Sequence, residues 1–247
     1  MNWNVDLAGE TALVIGGTKN IGLAVAQALQ SAGAAIAVVG GSDQAALDGA
    51  LDTLSKSGGD AIGFLKDMSD EAAVQSVFAE TQEKLGPVSV LVNSPGYRPH
   101  GPFADITLET WNSVLAIMLT GPFLACRELF RGLPENRKGA IVNIGGMSAH
   151  RPAKDRAHVI AAKSGIAGLT RALAAEGQGR IRANCIVPGM IETTRKAGQP
   201  QAHLHRDDAV VRGSVDDVAR LVLAFSSPRD TYTTGQVVHV SGGRYMA

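Results

Sequence analysis

Cysteine is scarce in this chain. Its 247 residues hold two, Cys126 and Cys185, and no paired spacing around them marks a disulfide framework or a zinc site. Both are expected to be buried, reduced and structural. An excess of either charge is also missing, because Lys plus Arg and Asp plus Glu each number 23. Without a long-range field, partnership with nucleic acid or an anionic membrane surface is not expected. Residues 1–6 lack a basic stretch leading into an apolar run, and no uninterrupted apolar segment reaches the ~18 residues that suggest a membrane span. A cytoplasmic protein with no membrane partner is expected. Internal repeats, low-complexity tracts and linkers are missing too, so the chain reads as one domain, 1–247.

What is present is a regular alternation. Short β-rich apolar runs at 11–16, 35–40, 60–65, 88–92, 138–144, 180–186 and 235–240 are separated by Ala/Leu-rich stretches of helical character. That order implies βαβ units and a parallel sheet. Runs such as 11–15 and 88–92 are apolar almost throughout, as strands covered by helices on both faces must be. Residues 194–211 form the one long irregular segment and are expected to act as a lid or binding loop.

The first strand ends in Gly16-Gly17-Thr18-Lys19-Asn20-Ile21-Gly22 and leads into a helix. A glycine there permits a sharp turn, and the helix start offers free N–H groups and a positive dipole end to a diphosphate. Further along come Asp67, the turn Asn93-Ser94-Pro95-Gly96, the segment Pro188-Gly189-Met190-Ile191-Glu192-Thr193 and the stretch 235–243. Together these resemble the short-chain dehydrogenase/reductase (SDR) family over nearly the whole chain. The resemblance implies a Rossmann-like, doubly wound α/β fold with a parallel sheet of about seven strands. It also implies nicotinamide dinucleotide binding through Gly16, Thr18, Lys19, Ile21, Gly22, Ser42, Asp67, Asn93, Gly96, Lys163, Pro188, Gly189, Ile191 and Thr193. Three departures weaken that binding. Asn20 replaces a loop glycine and is expected to lean toward the phosphates, Pro95 removes a backbone donor, and the second strand ends without an acidic residue. Lys19 and Ser42 favour NADP over NAD; the alternative is a loop that binds neither.

In the same family a Tyr donates or accepts the proton, a Lys four residues later lowers its pKa, and a Ser thirteen residues before it holds the substrate oxygen. The gap-free match at 160–174 makes Lys163 the family lysine, which puts Val159 at the Tyr position, Gly146 at the Ser position and Met118 at a helix Asn. Losing a general acid costs about 10²–10⁴ in rate. Tyr97 is the best substitute acid, with a pocket-lining or interface aromatic as the plainer alternative; His100 lies beside it, and His158 is expected on the helix surface or at an interface. The basic run 150–156 offers either a phosphate or carboxylate site or a solvated wall. His203 and His205 lack a third ligand at a recognisable spacing, so no metal is expected.

Two readings follow. The replaced catalytic set resembles the inactive subunits of hetero-oligomeric SDR alcohol dehydrogenases of the benzylsuccinate-pathway type, which implies a pseudoenzyme that assembles with a catalytically complete SDR chain. The alternative is an atypical NAD(P)H-dependent oxidoreductase acting on a carbonyl/alcohol pair without the usual Tyr. Two long helices, near 108–133 and 159–176, are expected to carry the assembly face.

Overall fold

The computed structural model describes residues 4–194, 212–227 and 232–246. The apolar runs become seven parallel strands: β1 (Thr11–Ile15), β2 (Ala35–Gly40), β3 (Ala61–Leu65), β4 (Val88–Asn93), β5 (Gly139–Ile144), β6 (Ile181–Pro188) and β7 (Val237–Val240). They form one sheet in the order β3-β2-β1-β4-β5-β6-β7. Strand order reverses between β1 and β4, and at such a point the loops leaving the carboxyl ends diverge and leave a crevice for ligands.

The intervening segments form α1 (Asn20–Ser31), α2 (Gln44–Ser55), α3 (Glu71–Leu85), α4 (Leu108–Leu115), α5 (Gly121–Gly132), α6 (Ala157–Glu176) and α7 (Val215–Ser226). One sheet face buries Val14, Ile36, Val142 and Ile186 with residues of α1 and α7, including Val25, Leu29, Val218 and Val222. Alternate strand residues, among them Leu13, Leu91 and Ile141, meet α3 and α5 on the other face. This two-sided burial is why the strands read as continuous apolar runs.

A π-helical turn, Ala116–Thr120, joins α4 to α5. Its cause is legible locally. Pro122 has no N–H to give the carbonyl four residues back, at Met118, so the regular hydrogen-bond ladder cannot pass through that point. The run Leu108–Gly132 is long and apolar enough to cross a bilayer by length and composition, and 44% of its most apolar window is buried inside the fold.

The helices expected to form an assembly face are partly turned inward. Leu124, Ala125, Ile166 and Ala167 are buried within this chain, while Ile160, Ala161 and Leu169 are only partly covered. On the first of these helices the exposed apolar side chains are Leu108 and Phe123. Both cysteines are free and buried.

Candidate dinucleotide cleft and catalytic end

Gly16 leaves β1 at φ +74°, and a Cβ there would lie 2.5 Å from the Ser94 carbonyl oxygen. The glycine loop therefore packs directly on the turn after β4, at the switch point. Helices α2, α3, α4 and α7 are capped by Asp43, Asp70, Thr107 and Ser214. Helix α1 has no side-chain cap and no acidic residue in its first turn. Its leading N–H groups and the glycine loop fit a dinucleotide diphosphate. Thr18 supports the loop from the side, its methyl against Gly40, while Ile21 packs on the core.

Asn20 adopts φ +49°, a conformation Asn tolerates better than most side chains. Its amide does not turn to the phosphates. Oδ1 accepts from the Thr194 N–H at 2.8 Å and from the Thr194 hydroxyl at 3.0 Å, and Nδ2 donates to the Thr194 carbonyl at 3.1 Å. The side chain thus clasps the segment after β6, holding the neighbouring Thr193 beside the start of α1. Asn20, Thr193 and Thr194 also line an open cleft of about 520 Å³ with Gln27, Glu192 and Asp216.

Lys19, expected to meet a 2′-phosphate, pairs with Asp43 at 2.6 Å. Asp43 also caps α2, accepting from Ala46 N–H, so an acidic group stands three residues beyond the strand end that itself lacks one. Ser42 is exposed beside it. Asp67 holds the Ser69 N–H and hydroxyl at 2.9 and 2.7 Å. Asn93 is buried, donating to Asn143 Oδ1 at 2.8 Å, and Asn143 donates to the Thr170 hydroxyl at 2.9 Å. This chain ties β4 and β5 to α6 from within. Gly96 is exposed at the turn, and Gly189 follows β6 so closely against Ser241 that a Cβ would lie 2.8 Å from its Cα. Ile191 bridges to Gly213.

At the catalytic end the chemistry changes character. Helix α6 buries His158, Val159, Ala162, Lys163, Ile166, Ala167 and Thr170, a stripe at helical period. Val159 and Lys163 share that face, as i and i+4 must. Val159 is 1% exposed and Met118 is fully buried, and with Val114 and Ala162 they form one apolar cluster. The two positions at which sequence reasoning expected a replaced proton donor and a replaced amide, Val159 and Met118, lie in this apolar cluster. Gly165 lets α6 approach the π-helical turn, where a Cβ would lie 2.8 Å from Leu119. Gly146 abuts the stem of Lys163, and a Cβ there would lie 3.2 Å from its Cγ.

Lys163 is 7% exposed and donates to the Ile144 carbonyl at 2.6 Å. Burial pushes its pKa down to about 7; the positive charge of Arg98 acts in the same direction, and Cys185 opposes it. Tyr97, the expected substitute acid, is 41% exposed. His158 corrects the surface expectation: it is buried, and burial lowers its pKa. In the basic loop, residues 151–155 are exposed, which favours a solvated wall. His150 behaves differently, with its ring centroid 4.4 Å from that of His239 and 5.5 Å from that of Tyr245. Burial lowers the pKa of both histidines; for His150 the charges of His239 and Arg171 add to it.

Asp43, Arg98, Asn143, Thr170, Thr194, His239 and Tyr245 were not singled out by sequence reasoning. Asp43 had a legible signal, an acidic residue just before an Ala-rich helix; the others meet their partners only through the fold. His203, His205 and residues 195–211 of the expected lid lie outside the described residues. Among the described residues no group of three His, Cys, Asp or Glu side chains is placed to hold a metal.

The family described as enoyl-(acyl carrier protein) reductase matches residues 16–244. The chain is similar to the BbsD subunit of (2S)-[(R)-hydroxy(phenyl)methyl]succinyl-CoA dehydrogenase from Thauera aromatica. The two are 30% identical, over 97% of this chain and 98% of that one. A short-chain oxidoreductase from Pseudomonas aeruginosa PAO1, described as containing an atypical catalytic center, superposes with a TM-score of 0.87 at 28% identity, covering 98% of this chain and 99% of that one. A blue fluorescent protein from a metagenomic library, in complex with NADPH, superposes with a TM-score of 0.86 at 32% identity over 96% of this chain and 98% of that one.

Proposed function

The chain belongs to the short-chain dehydrogenase/reductase family, and we propose that it is a dinucleotide-binding subunit without the family's own proton-transfer chemistry, assembling with a catalytically complete relative. The observation that carries this reading is the apolar cluster of Val114, Met118, Val159 and Ala162, which fills the place where proton donor and amide would stand. A bound nicotinamide dinucleotide supplies or accepts hydride in this family. Here Gly16, Gly22 and the open start of α1 would hold its diphosphate, Thr193 would lie alongside, and Lys163 would reach its ribose. None of the four clustered side chains can give an alkoxide a proton. The kinship with a dehydrogenase subunit supports an assembly role. Exposed Leu108 and Phe123 are the surfaces left for it on the first long helix.

The test has two arms. Calorimetric titration with oxidised and reduced NAD and NADP is expected to show binding. Co-expression with a catalytically complete SDR chain, followed by size-exclusion chromatography and native mass measurement, is expected to show a mixed oligomer. A monomer, or a homo-oligomer that ignores the active chain, overturns the assembly role.

A second reading has one specific observation in its favour. Lys163 titrates near neutrality, as a general acid or base should, and a full-length structural relative is an oxidoreductase with an atypical centre. On that reading the chain reduces carbonyl substrates alone, and turnover by the purified homo-oligomer decides between the two.

A further inference from the structure

The amino ends of β1, β2 and β3 lie at the opposite end of the sheet from the dinucleotide cleft. Three turns converge there, Gly9-Glu10 before β1, Gly33-Ala34 before β2 and Gly58-Gly59-Asp60 before β3, and they border a second cleft of about 370 Å³. That volume falls within the range of about 300–1,000 Å³ that small-molecule sites occupy.

Gln30, near the end of α1, lines this cleft and is 6% exposed. Among the described residues neither its amide nitrogen nor its amide oxygen has a hydrogen-bond partner. Buried polar atoms are almost always paired, and leaving both ends of one amide unpaired is costly. A leucine or methionine would fill the same space without that cost. The polar neighbours do not share the defect: Thr11 donates to the Leu85 carbonyl at 2.7 Å, and Glu10 accepts from the Ser89 hydroxyl and from Arg137 at 2.6 Å. The backbone above the amide is glycine. A Cβ at Gly59 would lie 2.9 Å from Gln30 Cγ and 3.0 Å from its Nε2. A polar group that breaks the rule of pairing at the wall of a cleft marks a place where something else pairs it.

The lining sets the class of ligand. It carries the carboxylates of Glu10 and Asp60 and, among the described residues, no cationic side chain, so an anion is disfavoured. The Gln30 amide matches an acceptor and a donor side by side, the edge that a nucleobase or lactam presents. Asp60 is exposed and offers a carboxylate to a further N–H. We propose that this cleft binds a small neutral heterocycle with a lactam or amino-azine edge, of the pyrimidine-base kind, paired by Gln30. The amide turns outward to meet it. The side chain is unbranched, and no hydrogen bond of its amide breaks in that rotation. None of these residues is assigned to the dinucleotide, so the test stands apart from that reading.

Uracil, cytosine and the N,N′-dimethyl derivative of uracil, which has no N–H, are titrated calorimetrically into the full-length protein. Uracil or cytosine is expected to bind saturably, and the dimethyl derivative is not. Gln30→Met removes the amide at nearly constant volume. It is expected to weaken binding about tenfold and to raise the melting temperature by about 3 °C, stability gained as function is lost. Asp60→Ala, at an exposed position that leaves the core alone, is expected to weaken binding about threefold. Absence of saturable binding by either base means that water alone enters the cleft; that result, or Gln30→Met binding the bases as tightly as the unmodified chain, overturns the proposal.

Discussion

The two sides of the switch point differ in kind. On the β1–β3 side, polar groups around the dinucleotide cleft meet polar partners: Lys19 meets Asp43, Asn20 meets Thr194, and Asp67 meets Ser69. On the side built from α4, the π-helical turn and α6, the positions assigned to chemistry meet Val114 and Ala162. The first side is held by polar pairs around a cleft, whereas the second is held by apolar packing. On the proposed reading, the fold keeps a ligand-binding edge while its reactive centre is packed as core.

The sharpest attempt to break this contrast is to restore the polar set. Gly146→Ser with Val159→Tyr is expected to leave carbonyl reduction on the order of 10³-fold or more below a complete relative. A tyrosine at Val159 must displace the cluster around Met118, and a serine at 146 meets the Lys163 stem at 3.2 Å. Steady-state assays with 3-oxoacyl thioesters measure this, and easy rescue means that the catalytic end was never closed.

Met118→Asn asks whether that end is truly core. Placing an amide at a fully buried position with apolar neighbours is expected to cost about 3 kcal/mol in denaturant unfolding. A cost near zero means that the site is open to water.

Lys163 separates stability from function. Its folded pKa of about 7 lies below the ordinary 10.5, so folding disfavours the charged form. The penalty is full below the folded value and fades as pH rises toward the unfolded one. Lys163→Met is therefore expected to stabilise the protein near neutrality by on the order of 2 kcal/mol, after allowing for the lost bond to Ile144. Thermal melts across pH should show that gain shrinking in alkali. Destabilisation at neutral pH contradicts it.

In the cofactor side, Asn20→Gly is expected to change stability little and to speed dinucleotide release by about threefold, because it frees the segment that carries Thr193. Stopped-flow displacement reads this, and slower release would mean that the clasp obstructs the cleft.

The smallest effect is expected where the tail meets the catalytic end. His150 and His239 have lowered pKa values in the fold, so their contribution is complete above the ordinary value of 6.5 and is lost as pH falls below it. His150→Ala should flatten the acid side of the stability profile.

Much of the fold was legible because two-sided burial writes itself into sequence. The runs at 35–40 and 88–92 needed no partner to be read as strands, and α6 was placed by its match at 160–174 but not by which side it buries. The site was legible only as far as identity goes. That Val159 and Met118 cannot transfer a proton follows from their side chains, but that they pack together depends on the π-helical turn bringing two helices into contact. Lys19 read as free for a phosphate because Asp43 becomes its neighbour only once β1 and β2 pair. His158 read as a surface residue because rotation along a helix says nothing about what covers that side.

The most direct test of the central claim is a single-turnover experiment on the purified chain loaded with NADPH. Mixed rapidly with saturating 3-oxoacyl thioester, the bound nucleotide is expected to keep its reduced-form absorbance and fluorescence over many turnover times of a complete relative. Its oxidation at the rate of such a relative would contradict the account.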